Sequence, residues 1–149
     1  MVWQDFKEKV SRFAVLKHVR QTDIHWDLLL QLPDRPLLAT WQIRVDPEGW
    51  SSQFQAILAI AIPDHRLIYL DFEGQIPGGR GHVTHVDGGV LKLQSVEENF
   101  ISGYVQGHNL NGLLTLTRMK TDRPGVSQQW QLKFGTACET EGCAIQDGL

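Results

Sequence analysis

Ile24-His25-Trp26-Asp27-Leu28-Leu29-Leu30-Gln31-Leu32 alternates in the manner of a half-buried β-strand. Successive strand side chains point to opposite faces, so Trp26, Leu28, Leu30 and Leu32 share one face and His25, Asp27 and Leu29 the other. The first set suits a core. The second holds an imidazole and a carboxylate roughly 6–7 Å apart at Cα, from a rise of about 3.3 Å per residue. That separation suits two ligands of one divalent ion, and His18 on the preceding segment supplies a third. The same residues would equally serve as the polar side of an amphipathic strand. Spacing alone leaves both readings open.

Outward from this stretch the β signal continues. Residues 13–18 alternate loosely before it, and Pro33-Asp34-Arg35-Pro36 reads as a turn leading into a strand over 37–44 that carries Trp41. Residues 55–62 are almost wholly apolar and too short for a helix, which predicts a strand buried on both faces. Turns are expected at Pro77–Gly81 and Asp87-Gly88-Gly89, and strands at 82–86, 90–95, 100–107, 112–119 and 128–134. One helix is expected, over 4–13, where Asp5 and Glu8 resemble a capping box and Phe6, Val10 and Phe13 recur at helical spacing. Short, turn-punctuated intervals without βαβ spacing argue for a mainly β fold: an antiparallel barrel or sandwich with a short N-terminal flanking helix.

The chain has 149 residues, the size of one domain, expected over 1–135 with a flexible acidic tail over 136–149. A formal charge of −3 argues against non-specific coating of nucleic acid. Charge is uneven, however: Lys7, Lys9, Arg12, Lys17 and Arg20 outnumber Asp5 and Glu8 in the first twenty residues. A local basic edge suits a small anionic ligand or one nucleic-acid end, and equally a plain solvated face. The cysteines, Cys138 and Cys143, both fall in the tail, so no disulfide framework is expected. No run of 18 apolar residues and no signal pattern is found, which reads as a soluble cytoplasmic protein without membrane contact.

Asp64-His65, with Tyr69 four residues on, closes the apolar strand at a place where a scaffold can present reactive groups. A histidine there can donate to a phosphate oxygen or act as general acid, and equally can be a surface residue of a turn. No Gly-x-Ser-x-Gly, no cysteine–histidine nucleophile pairing and no nucleotide-binding glycine fingerprint occurs. Metal-assisted hydrolysis is the enzyme class with positive support.

With these segments in view, the chain resembles the 3′-phosphoesterase domain of bacterial DNA ligase D and its stand-alone relatives, from about Phe13 to Phe134. The carriers are Lys17-His18…His25-Trp26-Asp27, the Trp41 strand, Asp64-His65-x₃-Tyr69, Phe72-Glu73-Gly74-x-Ile76-Pro77-x-Gly79, Leu116-x-Arg118-Met119 and Trp130-Gln131-Leu132-Lys133. The resemblance implies a compact β-barrel with a polar cavity. It implies a manganese-dependent activity that removes 3′-terminal phosphates or ribonucleotides from DNA ends before ligation, with zinc or another transition metal as alternative ions. His18, His25 and Asp27 would bind the metal. His65 would contact the scissile phosphate, with Tyr69 beside it. The partners implied are DNA or RNA-tailed DNA 3′ ends, and a ligase or polymerase acting in trans.

The pattern also departs from that family. The first two histidines are seven residues apart here rather than six, an insertion that a bulge can absorb. Leu29 and Ile57 stand where the family has phosphate-holding arginines, and Pro63 stands where it has an acidic residue. Leucine cannot imitate a bidentate guanidinium. Arg44 and Arg20, with Arg80, are the candidate replacement cations for phosphate. Two functions therefore follow: a DNA 3′-end-processing phosphoesterase, or a catalytically impaired barrel that binds a metal or a nucleic-acid end.

Overall fold

The computed structural model describes residues 10–51, 56–120 and 128–136. Among the described residues nine strands form one antiparallel sheet: β1 (Ser11–Arg20), β2 (Asp23–Leu30), β3 (Leu38–Ile43), β4 (Ile57–His65), β5 (Gly74–Gln75), β6 (His82–Val96), β7 (Phe100–Gln106), β8 (Asn111–Arg118) and β9 (Gln128–Thr136). Their order is β1-β2-β3-β4-β9-β8-β7-β6-β5, and β1 pairs with β6 as well as with β2. The described helical turns are two short 3₁₀ segments, Pro47–Gly49 and Leu67–Leu70. The fold is mainly β and antiparallel, as the alternation predicts.

Among the described residues no N-terminal helix is found. The last residues of the expected helix, 11–13, begin β1, and Phe13 packs into the core as a strand residue; residues 4–9 lie outside the described segments. The i, i+4, i+7 recurrence fails because Phe13 takes its place from pairing with Leu30 and Gly89 on neighbouring strands. Partners on both sides override a local periodicity. The tail over 137–149, with Cys138 and Cys143, also lies outside the described residues.

Two apolar clusters occupy opposite faces of the sheet. The larger includes Phe13, Val15, Leu28, Leu30, Trp41, Ile43, Trp50, Ala59, Leu116, Trp130 and Leu132. The smaller is Ala14, Leu16, Leu29, Leu38, Leu70 and Val83, with Tyr69, Phe72 and Ile76 packed against it. Alternation in β1 and β2 sorts residues between the two, with Val15 and Leu28 on the larger side and Leu16 and Leu29 on the smaller. At about 1.5–3 kcal/mol for each fully buried aliphatic side chain, the larger cluster dominates stability. The smaller one covers the face that carries His18, His25 and Asp27.

Two expectations need revision. Leu58 is 52% exposed, so β4 is not buried on both faces. Asp87-Gly88-Gly89 is not a turn: β6 runs straight through it, with Asp87 opposite Val15 and Gly89 opposite Phe13. The reason is the Asp87 carboxylate. It is buried, and it accepts from the backbone N–H groups of Gly88, His108, Asn109 and Leu110 at 2.7–2.9 Å, tying the β7–β8 connection to β6.

Candidate metal centre

β1 and β2 form a hairpin around Gln21-Thr22, with Gln21 at φ 56°. Its register is unbroken from Phe13↔Leu30 to Arg20↔Asp23. The extra residue between the histidines is therefore taken up in the turn, not in a bulge of this pair. His18 consequently lies directly opposite His25, and Leu16 opposite Asp27, on the face of the smaller cluster.

His65 arrives by a different device. In β4, Ala61 pairs with Trp41 and Ile62 with Thr40, but His65 pairs with Leu38, so the register slips by one residue at Pro63-Asp64. Directly paired residues share a face. Strict alternation would send His65 to the core side with Ile57, Ala59 and Ala61; the bulge turns it to the Leu38 side instead. Pro63 suits that bulge because it has no N–H to donate to a ladder. The same phase places Ile57 inside the larger cluster, where its side chain cannot reach the cavity. Tyr69, in the 3₁₀ turn after β4, packs edge-on to His65 at 5.5 Å and to Phe72 at 5.2 Å between ring centres.

One ligand atom from each of His18, His25 and Asp27 can be chosen so that all lie within 4.8 Å of one another. The hydrogen bonds around them fix which atoms face inward. His18 Nε2 lies 2.7 Å from the Arg80 carbonyl oxygen, which can only accept, so Nε2 carries the proton and Nδ1 is left with a lone pair. His25 Nδ1 lies 3.2 Å from Asp23 Oδ2, likewise an acceptor, so His25 Nε2 is also left with a lone pair. These two inner nitrogens face each other at 3.2 Å. Asp27 Oδ1 is buried without a hydrogen-bond donor, its distance to His25 Nε2 being 3.4 Å. Three acceptors thus converge with nothing between them to donate. Such a cluster is stable only around a proton or a cation. Without a cation the proton wins: the Asp27 carboxylate, helped by Asp23 and opposed by burial, raises the His25 pKa above 6.5.

Asp23 also binds Arg44, Oδ1 to Nη1 at 2.7 Å, and the Arg44 guanidinium holds its carboxyl below the usual carboxylate range. Arg44 is therefore engaged behind His25. Neither it nor the exposed Arg20 lines the cavity. That cavity, about 520 Å³, is lined by His18, Asp27, Asp64, His65, Arg66, Tyr69 and Arg80 over a floor that includes Leu16, Ile76 and Val83. His65 Nδ1 points back at the Pro63 carbonyl, 3.1 Å away, leaving Nε2 facing Asp27 Oδ2 at 3.9 Å across the cavity. Asp64 is neutralised by Arg35 at 2.7 Å. The structure thus brings together His18, His25, Asp27, His65 and Tyr69, and leaves Arg20 and Arg44 outside.

Sequence reasoning missed Asp23 and Arg66. The signal for Asp23 was its place two residues before His25 on one strand face. Arg66 follows His65 directly, and only the backbone turn brings it to the cavity.

The model of the DNA ligase D 3′-phosphoesterase domain matches residues 16–118, which include every cavity residue named above. The chain belongs to this family. It is also 31% identical over 129 residues to the multifunctional non-homologous end joining protein LigD of Pseudomonas aeruginosa, a match covering 81% of this chain and 14% of that protein. Among the described residues no helix is long and apolar enough to cross a membrane.

Proposed function

We propose that this chain is a metal-dependent DNA 3′-end-processing phosphoesterase that removes a 3′-terminal phosphate or ribonucleotide during repair. The observation that carries the proposal is the convergence of His18 Nδ1, His25 Nε2 and the donor-less Asp27 Oδ1. Two imidazoles and one carboxylate fit manganese, and also zinc or another transition metal. The additional β1–β6 pairing supports reading the sheet as a closed barrel forming one domain. Substrates are DNA or RNA-tailed DNA 3′ ends in the cytoplasm, with a ligase or polymerase acting in trans.

In this reading His18, His25 and Asp27 hold the ion. When bound, a divalent ion supplies Lewis-acid polarisation of a phosphoryl oxygen and a lowered pKa for its water. The chain's own residues do the rest. His65 presents Nε2 to the scissile phosphate; protonated, it donates to a phosphoryl or leaving oxygen, with Nδ1 anchored on the Pro63 carbonyl. Tyr69 fixes the ring of His65 by edge-on packing and lines the same cavity. The apolar floor excludes water beneath the phosphate.

A binding module that keeps the ion but has lost turnover is the second reading, favoured by the fully buried Leu29 on the cavity face. The test is purified protein with manganese and a primer–template ending in 3′-phosphate or a single 3′-ribonucleotide. Turnover that His65→Ala abolishes is the expected result. Turnover no greater than that of His65→Ala, with the metal bound, replaces the enzyme by the binding module.

A further inference from the structure

We propose that Arg66 and Arg80, which both line the metal cavity, form this chain's clamp for the terminal phosphate. The proposal rests on the phosphoesterase reading and names the residues that would recognise the substrate's anionic group.

Both arginines line the cavity with His18, Asp27 and His65. Among the described residues neither has a carboxylate partner, whereas Arg12, Arg35 and Arg44 are each committed to one, Asp71, Asp64 and Asp23 respectively. The cavity acids leave room for an anion: Asp64 is neutralised by Arg35, and Asp27 belongs to the metal cluster. The positions where the family resemblance places arginines offer nothing, because Leu29 is buried in the smaller cluster and Ile57 in the larger.

Each guanidinium is also held in place. Arg80 Nε donates to the Pro77 carbonyl at 2.8 Å, which leaves both terminal nitrogens of the fork for a ligand. The Arg80 backbone oxygen accepts from His18 Nε2, so the residue that offers the cation is tethered to a residue of the metal cluster. Glycine is required beside it. Gly81 sits at φ +100°, and a Cβ there would collide with the Val19 carbonyl and lie 3.1 Å from His18 Nε2. Arg66 immediately precedes the 3₁₀ turn, and its guanidinium carbon lies 6.0 Å from the Tyr69 ring centre. Cation–π contact of this kind steadies the side chain without using its N–H donors.

The test measures binding of a labelled primer–template ending in 3′-phosphate against the same duplex ending in 3′-hydroxyl. It is run with manganese in the His65→Ala background, so that the phosphate survives. Arg66→Ala and Arg80→Ala are each expected to reduce the preference for the phosphate end about 10- to 100-fold, the scale of one charge-assisted contact. Arg118→Ala, which removes a charge from β8, leaves the preference unchanged. Unchanged manganese affinity reports that the cavity is still built. Arg80→Lys restores only part of the preference, since it keeps the charge but not the fork.

Equal affinity for the two ends, or a preference that survives either alanine substitution, overturns the clamp. The two proposals separate cleanly. Turnover by the His65-containing protein with no arginine effect sinks the clamp alone. Loss of phosphate preference in both variants, with no turnover in the His65-containing protein, sinks the enzyme and keeps the clamp.

Discussion

Asp23 bridges Arg44 and His25, with Oδ1 2.7 Å from the guanidinium and Oδ2 3.2 Å from Nδ1 of the imidazole. A carboxylate behind a histidine fixes its tautomer and orientation, and removing such a partner typically costs 10- to 100-fold in metal affinity. Asp23→Ala is therefore expected to weaken manganese binding by about that range, read by titration calorimetry or electron paramagnetic resonance. Arg44→Ala has a smaller effect in the same direction, because Asp23 itself remains. An Asp23→Ala affinity equal to that of the parent would remove Asp23 from this role.

The pH dependence follows from His25. Its pKa is raised in the metal-free protein, chiefly by Asp27, so the proton is bound more tightly in the folded than in the unfolded chain. That stabilisation is fully present below the unfolded value of about 6.5 and is lost as pH rises through the folded value. The ion must displace the same proton, so its affinity already declines above 6.5 as pH falls. Manganese is expected to raise the melting temperature more at pH 8 than at pH 6. A shift independent of pH would exclude His25 as a ligand.

Leu29 invites a substitution toward arginine, the residue that the family resemblance places there. Its surroundings forbid it: Leu29 is fully buried among Ala14, Leu16, Leu38, Leu70 and Val83. Leu29→Arg would bury a cation among hydrocarbons, and is expected to destabilise the fold by about 3 kcal/mol or more without raising turnover. Chemical denaturation followed by tryptophan fluorescence measures the first effect. A gain in activity at unchanged stability would mean that the side chain escapes into the cavity.

Asp87 is the stability prediction with no catalytic consequence. Burial pushes its pKa up, but the N–H groups of Leu110, Asn109, His108 and Gly88 together bring it below 3.8. The stabilisation is thus present above the ordinary carboxyl value and is lost as pH falls through the folded value. Asp87→Ala strands those donors and is expected to cost about 3 kcal/mol. It should also flatten the acid limb of the stability curve, followed by circular dichroism from pH 6 to pH 2.

Much of this was legible because β2 alternates cleanly: His25, Asp27 and Leu29 share a face in the structure as they do in the pattern. The hidden parts share one cause, which is that they depend on partners distant in sequence. Phe13 read as helical until two neighbouring strands claimed it. The Asp87 glycines read as a turn because the carboxylate's partners lie about twenty residues away. Arg44 read as a free cation because Asp23, 21 positions earlier, is its neighbour only across strands. The position of Ile57 was countable, but its face was not, since the slip at Pro63-Asp64 cannot be seen in a periodicity.

That slip makes the parity of β4 a determinant of chemistry in its own right. Straightening the bulge at unchanged length would leave the pairing of Trp41 with Ala61 undisturbed, yet carry His65 into the layer of Ala59 and Ala61, behind the wall of the cavity. Every residue named in the cavity could then be retained while the imidazole faced the wrong way. In this family member, counting residues along one strand matters as much as identifying them.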